Sequence, residues 1–255
     1  MSDEQPPPGS GAQNPGQSPG AASLPTGLVS AVVSLVNTGP VLLGAYTIAE
    51  LTAVDAIVDF LEARPSDEVL AEAVRSLAAR ELLLAGSTSE QVQVRGDLGI
   101  AVAFQQRART VLDARATGTQ AGEPWRILLL PQPERICMMV RIDALGVHQI
   151  GLYTMDQALD ILTEWLPTGS SPDGGREVDG DALLADAERS ALVTVIDYTA
   201  EGSAEIAGDT TDMVLSRNDG RLHILTRDPD APQRLLRTGP QGKDAVRDRV
   251  AALLP

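Results

Sequence analysis

The chain of 255 residues carries 35 acidic and 20 basic side chains, a net charge of −15 with a pI near 4.5. That balance excludes a uniformly basic nucleic-acid footprint and a polybasic membrane-surface protein. A single cysteine, Cys137, excludes an internal disulfide framework and any cysteine-rich metal cluster, and two histidines, His148 and His223, leave little material for a metalloenzyme.

Residues 1–23 are rich in Pro, Gly, Ser and Gln without an apolar period, which predicts a disordered tail. Asp3 and Glu4 stand where a secretory signal would be positively charged. The apolar runs 28–36 and 41–46 fall short of the roughly 20 residues that a membrane-spanning helix needs. No membrane insertion and a cytoplasmic location are the expectations.

Residues 47–118 read as helical. Ile48, Leu51, Val54, Ile57, Val58 and Leu61 recur at helix spacing until Pro65 interrupts them. Ser66 then caps a second helix, with Asp67 and Glu68 in its positive first turn. That helix is predicted to bury Leu70, Val74, Leu77 and Leu84 and to fray at Gly86. A short strand is expected over 91–94. A third helix is expected over 98–116, through Val102, Ala108 and Leu112, with Gly118 as its stop.

From Trp125 the period changes to two. Strands are predicted over 126–130, 135–142 and 147–153, the last two joined by a turn at Asp143-Ala144-Leu145-Gly146. Thr154 and Gln157 form a capping-box pattern ahead of a helix whose inner face is Met155, Leu159, Leu162, Trp165 and Leu166. After a linker over 168–175, a short helix over 181–189 leads to a strand over 192–199 and a polar loop. Strands over 212–217 and 221–226 then flank Asn218-Asp219-Gly220, a hairpin signal, and a last helix places Val246, Val250 and Leu253 at core spacing.

Helix, strand, hairpin and helix thus occur twice. The fold class expected is α+β: two similar halves, about 47–167 and 176–255, around a mostly antiparallel sheet in a pseudo-two-fold arrangement. Residue identity between the halves is slight, so the repeat is one of pattern. The charge is localised too. Residues 173–212 carry a net −9, whereas 213–255 carry +3. A basic partner could be steered to that stretch, or the stretch is a solvated face that keeps the chain soluble.

Chemical motifs are sparse. Gly239-Pro240-Gln241-Gly242-Lys243-Asp244 departs from a phosphate-binding loop, with Arg237 where the first glycine belongs and Asp244 where a hydroxyl belongs. His148 and His223 lack a carboxylate at ligand spacing, and Cys137 lies in an apolar strand with no cation to activate it. Asp179-Gly180-Asp181 lacks the order of a calcium loop. No catalytic residue, cofactor or metal is therefore expected. Residues 47–97 have the order of a winged helix, but the second helix bears Asp67, Glu68, Glu72 and Glu81 against Arg75 and Arg80. That net −2 weakens a DNA-reading role, because little counterion release is available.

Three stretches resemble the EspG family, cytosolic chaperones of actinobacterial type VII (ESX) secretion. They are 67–84 (DEVLAEAVRSLAARELLL), 134–167 (ERICMMVRIDALGVHQIGLYTMDQALDILTEWLP) and 213–255 (MVLSRNDGRLHILTRDPDAPQRLLRTGPQGKDAVRDRVAALLP). The resemblance covers about 47–255 and rests on the order of elements. It implies a pseudo-two-fold fold, no enzymatic activity, and the task of holding a helical PE–PPE substrate pair soluble before export. It also implies a cargo surface at the first-repeat hairpin loop, which here is the short turn 143–146, and at the C-terminal helical region. The candidate partner-binding residues are Asp143 and Leu145 at that turn and Asp179, Asp181, Asp186 and Glu188 in the acidic stretch. A winged-helix transcriptional regulator with a C-terminal sensing half is the alternative reading.

Overall fold

The structure, a computed structural model, describes residues 25–55, 64–85, 92–173, 179–201, 204–228 and 230–254. The tail at 1–23, the helix positions Ile57, Val58 and Leu61, Gly86, Gln91 and the end of the 168–175 linker lie outside them. The fold is α+β, built on one nine-stranded, fully antiparallel sheet and a separate two-stranded one.

Two N-terminal segments without an assigned state form α1 (Thr26–Val36) and β1 (Val41–Thr47). Next come α2 (Ile48–Ala53), opened by a capping box between Thr47 and Glu50, and α3 (Asp67–Ala79). Ser66 caps α3 as predicted, accepting from the Val69 N–H at 3.5 Å. Its inward residues are Ala73 and Leu77, while Val74 and Leu84 are exposed, contrary to expectation. The helix also stops early. Glu81 adopts φ 60°, and the Leu82 N–H turns back to the Leu77 carbonyl at 2.9 Å. This is a Schellman-type ending with a glutamate in the place usually held by glycine. Leu84 therefore belongs to β2 (Leu83–Ala85), which pairs with β3 (Val92–Val94).

The predicted helix over 98–116 is corrected. It divides into α4 (Gly96–Arg107) and a strand, β4 (Thr110–Thr117). Val111, Asp113 and Arg115 face one side of the sheet, and Leu112, Ala114 and Ala116 fill the core on the other. That period-2 burial outweighs the helical spacing of Val102, Ala108 and Leu112. β5 (Arg126–Pro131), β6 (Ile136–Ile142), β7 (Val147–Thr154) and α5 (Met155–Trp165) follow as predicted, with the Thr154–Gln157 capping box formed. The second half holds α6 (Gly180–Ala185), β8 (Arg189–Glu201), β9 (Ala204–Asn218), β10 (Arg221–Asp228), β11 (Ala231–Arg237) and α7 (Lys243–Ala251). Residues 204–211, read as part of a polar loop, extend β9 and pair with β8. Asp219 and Gly220, with φ 50° and 70°, make the predicted hairpin turn.

Each half is thus a helix, a four-stranded meander and a helix. The strand order is β1-β7-β6-β5-β4-β8-β9-β10-β11, so the two meanders meet where β4 pairs with β8. Helices α1 to α4 close one face over β1 and β5 to β7, with Phe104, Leu98, Leu77 and Leu51 fully buried there. The other face is closed by α5 and α7, which are tied together by Arg247 to Asp160 at 2.8 Å and to Asp156 at 3.2 Å.

The seam between the halves is fastened at both ends. Thr110 donates to Asp197 at 2.6 Å, and the Thr117 and Ser190 hydroxyls meet at 2.7 Å. Gly118 follows with φ 67°, and a Cβ there would sit 2.5 Å from the Glu188 carbonyl oxygen, so only glycine fits. Beside the seam, Arg126 holds the buried Asp113 carboxylate through two bonds of 2.8 Å, and Arg115 adds two more at 2.8 and 3.0 Å. Breaking a buried pair from one side strands a charge. Asp113→Ala is expected to cost about 3–5 kcal/mol in urea unfolding, and Asp113→Leu with Arg126→Met to recover most of it. A single-mutant loss below about 1 kcal/mol would place that pair in effective contact with water.

Candidate functional site

The tip of the β6–β7 hairpin is a tight turn built by Asp143. Its Oδ1 accepts from the Leu145 and Val147 N–H groups, both at 2.9 Å, while its carbonyl accepts from Gly146 at 3.0 Å. Gly146 takes φ 75°. Asp143 is thereby spent on holding the turn, and Leu145 is left 88% exposed at its apex. Behind the tip, the buried His148 places Nδ1 3.0 Å from the Gly146 carbonyl.

The acidic candidates gather at the α6–β8 corner. Asp179 caps α6 by accepting from the Ala182 N–H at 3.0 Å, and Glu188 pairs with Arg217 at 3.0 Å. Asp179, Asp186, Glu188 and Asp219 line a cleft of about 610 Å³ in which Arg237 supplies the positive charge. Arg237 is held by the buried His223, whose Nδ1 accepts from Nε at 3.1 Å and Nη2 at 2.7 Å. That arrangement makes Nδ1 the acceptor and keeps the ring neutral. Asp181 lies apart, in an adjoining cleft of about 510 Å³ whose apolar wall includes Trp125, Leu184, Leu192, Val214 and Leu235.

Both groups sit at one end of the sheet. The β6–β7 tip, the β4–β5 loop, the start of β8 and the β9–β10 turn all fall on the same edge of the antiparallel ladder. Two strands, β5 and β4, stand between the tip's hairpin and β8, where the corner begins, and the cleft extends on to the β9–β10 turn. At roughly 4.8 Å per strand, Leu145 and the acidic cleft are separated by about 20 Å. The structure therefore aligns the two groups along one rim without merging them into one pocket.

The Arg237–His223 pair and the cleft beneath Trp125 had no local signature, since each joins residues from separate strands. The remaining motifs are structural. Cys137 is fully buried, and desolvation pushes its thiol up to about 12. Gln241 of the glycine-rich 239–244 segment clasps β10, accepting from the Ile224 N–H at 2.7 Å and donating to the Ile224 carbonyl at 3.1 Å. The α3 arginines are paired, Arg75 with Glu72 and Arg80 with the buried Glu50, each at 2.8 Å. Among the described residues, no cluster of three or more His, Cys, Asp or Glu is placed to hold a metal ion, and no helix is long and apolar enough to cross a membrane. No protein-family model matches the chain, and no curated protein matches it in sequence.

Both histidines have their pKa lowered, chiefly by burial; around His223 the charges of Arg237 and Arg221 add to it. Below the ordinary value near 6.5, the unfolded chain takes up protons that the folded chain refuses, so stability falls as pH drops. The urea midpoint is expected to fall between pH 7.5 and 5.5, and replacing both rings (His148→Asn, His223→Gln) should flatten that slope. An unchanged slope in the double variant would contradict it. Cys137 should resist a thiol reagent in the folded chain and react once urea unfolds it.

Proposed function

We propose that this chain is a non-enzymatic, cytosolic protein-binding chaperone or adaptor. Its cargo, on this reading, is a helical pair of the PE–PPE type, held soluble for type VII secretion as in the EspG family. The observation that carries the reading is Leu145, an apolar side chain 88% exposed on a turn fastened by three hydrogen bonds. A rigidly presented leucine is costly in water and becomes favourable once a partner covers it. Its company on the rim adds support: an apolar cleft under Trp125 and an acidic one at the α6–β8 corner, which would steer a cargo bearing a basic face.

The two-stranded β2–β3 sheet behind α3 gives the regulator reading its own support, as a wing would follow the second helix. Against it stand the ion pairs that occupy Arg75 and Arg80, leaving α3 few free donors for phosphate.

Affinity purification of the tagged chain from its native cytosol, at low and high salt, tests the proposal. A stoichiometric helical pair that survives high salt is expected. Leu145→Asp should reduce its recovery at least about tenfold, as loss of a central interface anchor does. Val69→Asp, at an exposed site on α3, should leave recovery unchanged. Recovery of the chain alone, or with DNA that salt removes, would overturn the chaperone reading.

A further inference from the structure

Residues 5–49 contain no Asp, Glu, Lys, Arg or His, in a chain whose net charge is −15. That uncharged stretch includes α1 and β1, and β1 is an outermost strand of the large sheet, with β7 as its one neighbour among the described strands. α1 is apolar on both faces. Val29, Val32 and Val36 turn inward and are buried, while Leu28 and Leu35 are 39% and 56% exposed, with Ala31 exposed between them at helical spacing. In β1, Leu43 and Tyr46 enter the core, whereas Leu42 is 73% exposed opposite Gly151, which has no side chain to cover it. Leu28, Leu35 and Leu42 thus face water from one helix–strand unit that carries no charge.

The two outermost strands of the sheet differ. β11 includes Pro232, Arg234 and Arg237, a missing donor and charges of the kind that keep an open strand from pairing. β1 has neither proline nor charge. Its one irregularity is a bulge between Leu42 and Gly44, beyond which Gly44 to Thr47 stay in register with β7. Gly44, Ala45 and Thr47 are exposed. An uncharged helix surface beside an unguarded strand is the pattern of a surface that another chain covers.

Charge indicates which chain. Two copies at −15 repel across most of their surfaces, and the α1–β1 side is where they can approach without opposing like charges. The strand also complements itself, because an antiparallel neighbour related by a two-fold axis is simply a second β1. We propose that the α1–β1 side pairs with the same side of a second copy of this chain, β1 against β1, joining two nine-stranded sheets about a two-fold axis. The α1 helices then flank the joint on one face of the sheet, and the Leu42 side chains on the other. β1 spans about 23 Å and α1 about 16 Å, a small contact among specific interfaces, so the dimer is expected in the micromolar range. The surface does not include Leu145, and the proposal stands apart from the chaperone reading.

Sedimentation velocity on the full chain tests it, over about 1 to 200 µM protein and at about 0.05 and 0.5 M salt. A reversible monomer–dimer equilibrium is expected, with a Kd of about 1–50 µM. The dimer should be tighter at the higher salt, because screening weakens the repulsion between two acidic chains. Leu35→Glu and Leu42→Glu occupy exposed sites and should keep the parent Tm. Each places two like charges in one interface and should raise the Kd at least about tenfold. Ala185→Glu, at an exposed position on α6, should leave it unchanged. Amides on the open side of β1 should exchange more slowly in the dimer. A chain that stays monomeric at the highest concentration in both salts, a dimer indifferent to both leucine variants, a dimer that salt dissociates, or unslowed exchange in β1 would overturn the proposal.

Discussion

The pairing of β4 with β8 is the constraint on which the rest of the molecule depends. Eight residues on each strand, Thr110–Thr117 and Ser190–Asp197, form an unbroken antiparallel ladder between segments some 80 positions apart. Without it each meander would expose the edge of a central strand, together with Leu112, Ala114, Val193 and Val195, which are buried on one face of the completed sheet. With it, nine strands share one hydrogen-bonded surface. The cost of closing so long a loop is offset by the core on the α5–α7 face, which draws on both halves.

The seam also dictates where chemistry can sit. Antiparallel meanders send every turn to one of two sheet edges, and the helices that open and close each half sort to the same edges. One edge collects the Leu145 tip, the Trp125 loop and the acidic α6 corner. The other collects the α4–β4 junction, the β5–β6 turn and the start of α5, and with them three arginines. The two edges therefore present contrasting surfaces: an apolar and acidic rim at one, and a cleft lined by arginines at the other. The short α6, six residues against twelve in α4, leaves the sheet beside it less covered, and the Trp125 cleft occupies that space.

Features written in adjacent residues were readable beforehand. Asn218-Asp219-Gly220, Asp143 with Gly146, and Thr154 with Gln157 each encode a turn or cap through local hydrogen bonding, and all three formed where the residues indicated. Leu145 was readable for the same reason, being an apolar residue inside a turn signal. β4 was not, because Ala108 and Leu112 continue the spacing of α4, and neither glycine nor proline marks the break after Arg107. Only pairing with β8 makes the alternation of Val111 to Ala116 decisive, and that partner is remote in sequence. Glu81 and Arg135 turn the chain at positive φ without glycine, so those reversals carried no composition signal. The arginine cleft draws on residues 107, 109, 132 and 135, which meet only after the strand order is known.

The claim that the two halves are one cooperative sheet is tested most directly by native-state hydrogen exchange. Amides of β4 and β8 along the seam should exchange only through global unfolding, with the same opening free energy as β5 and β6 and the same urea dependence. Amides of β8, β9 and β10 that open at a distinctly lower free energy than β5 and β6 would contradict it, since the second meander would then be detaching along the seam.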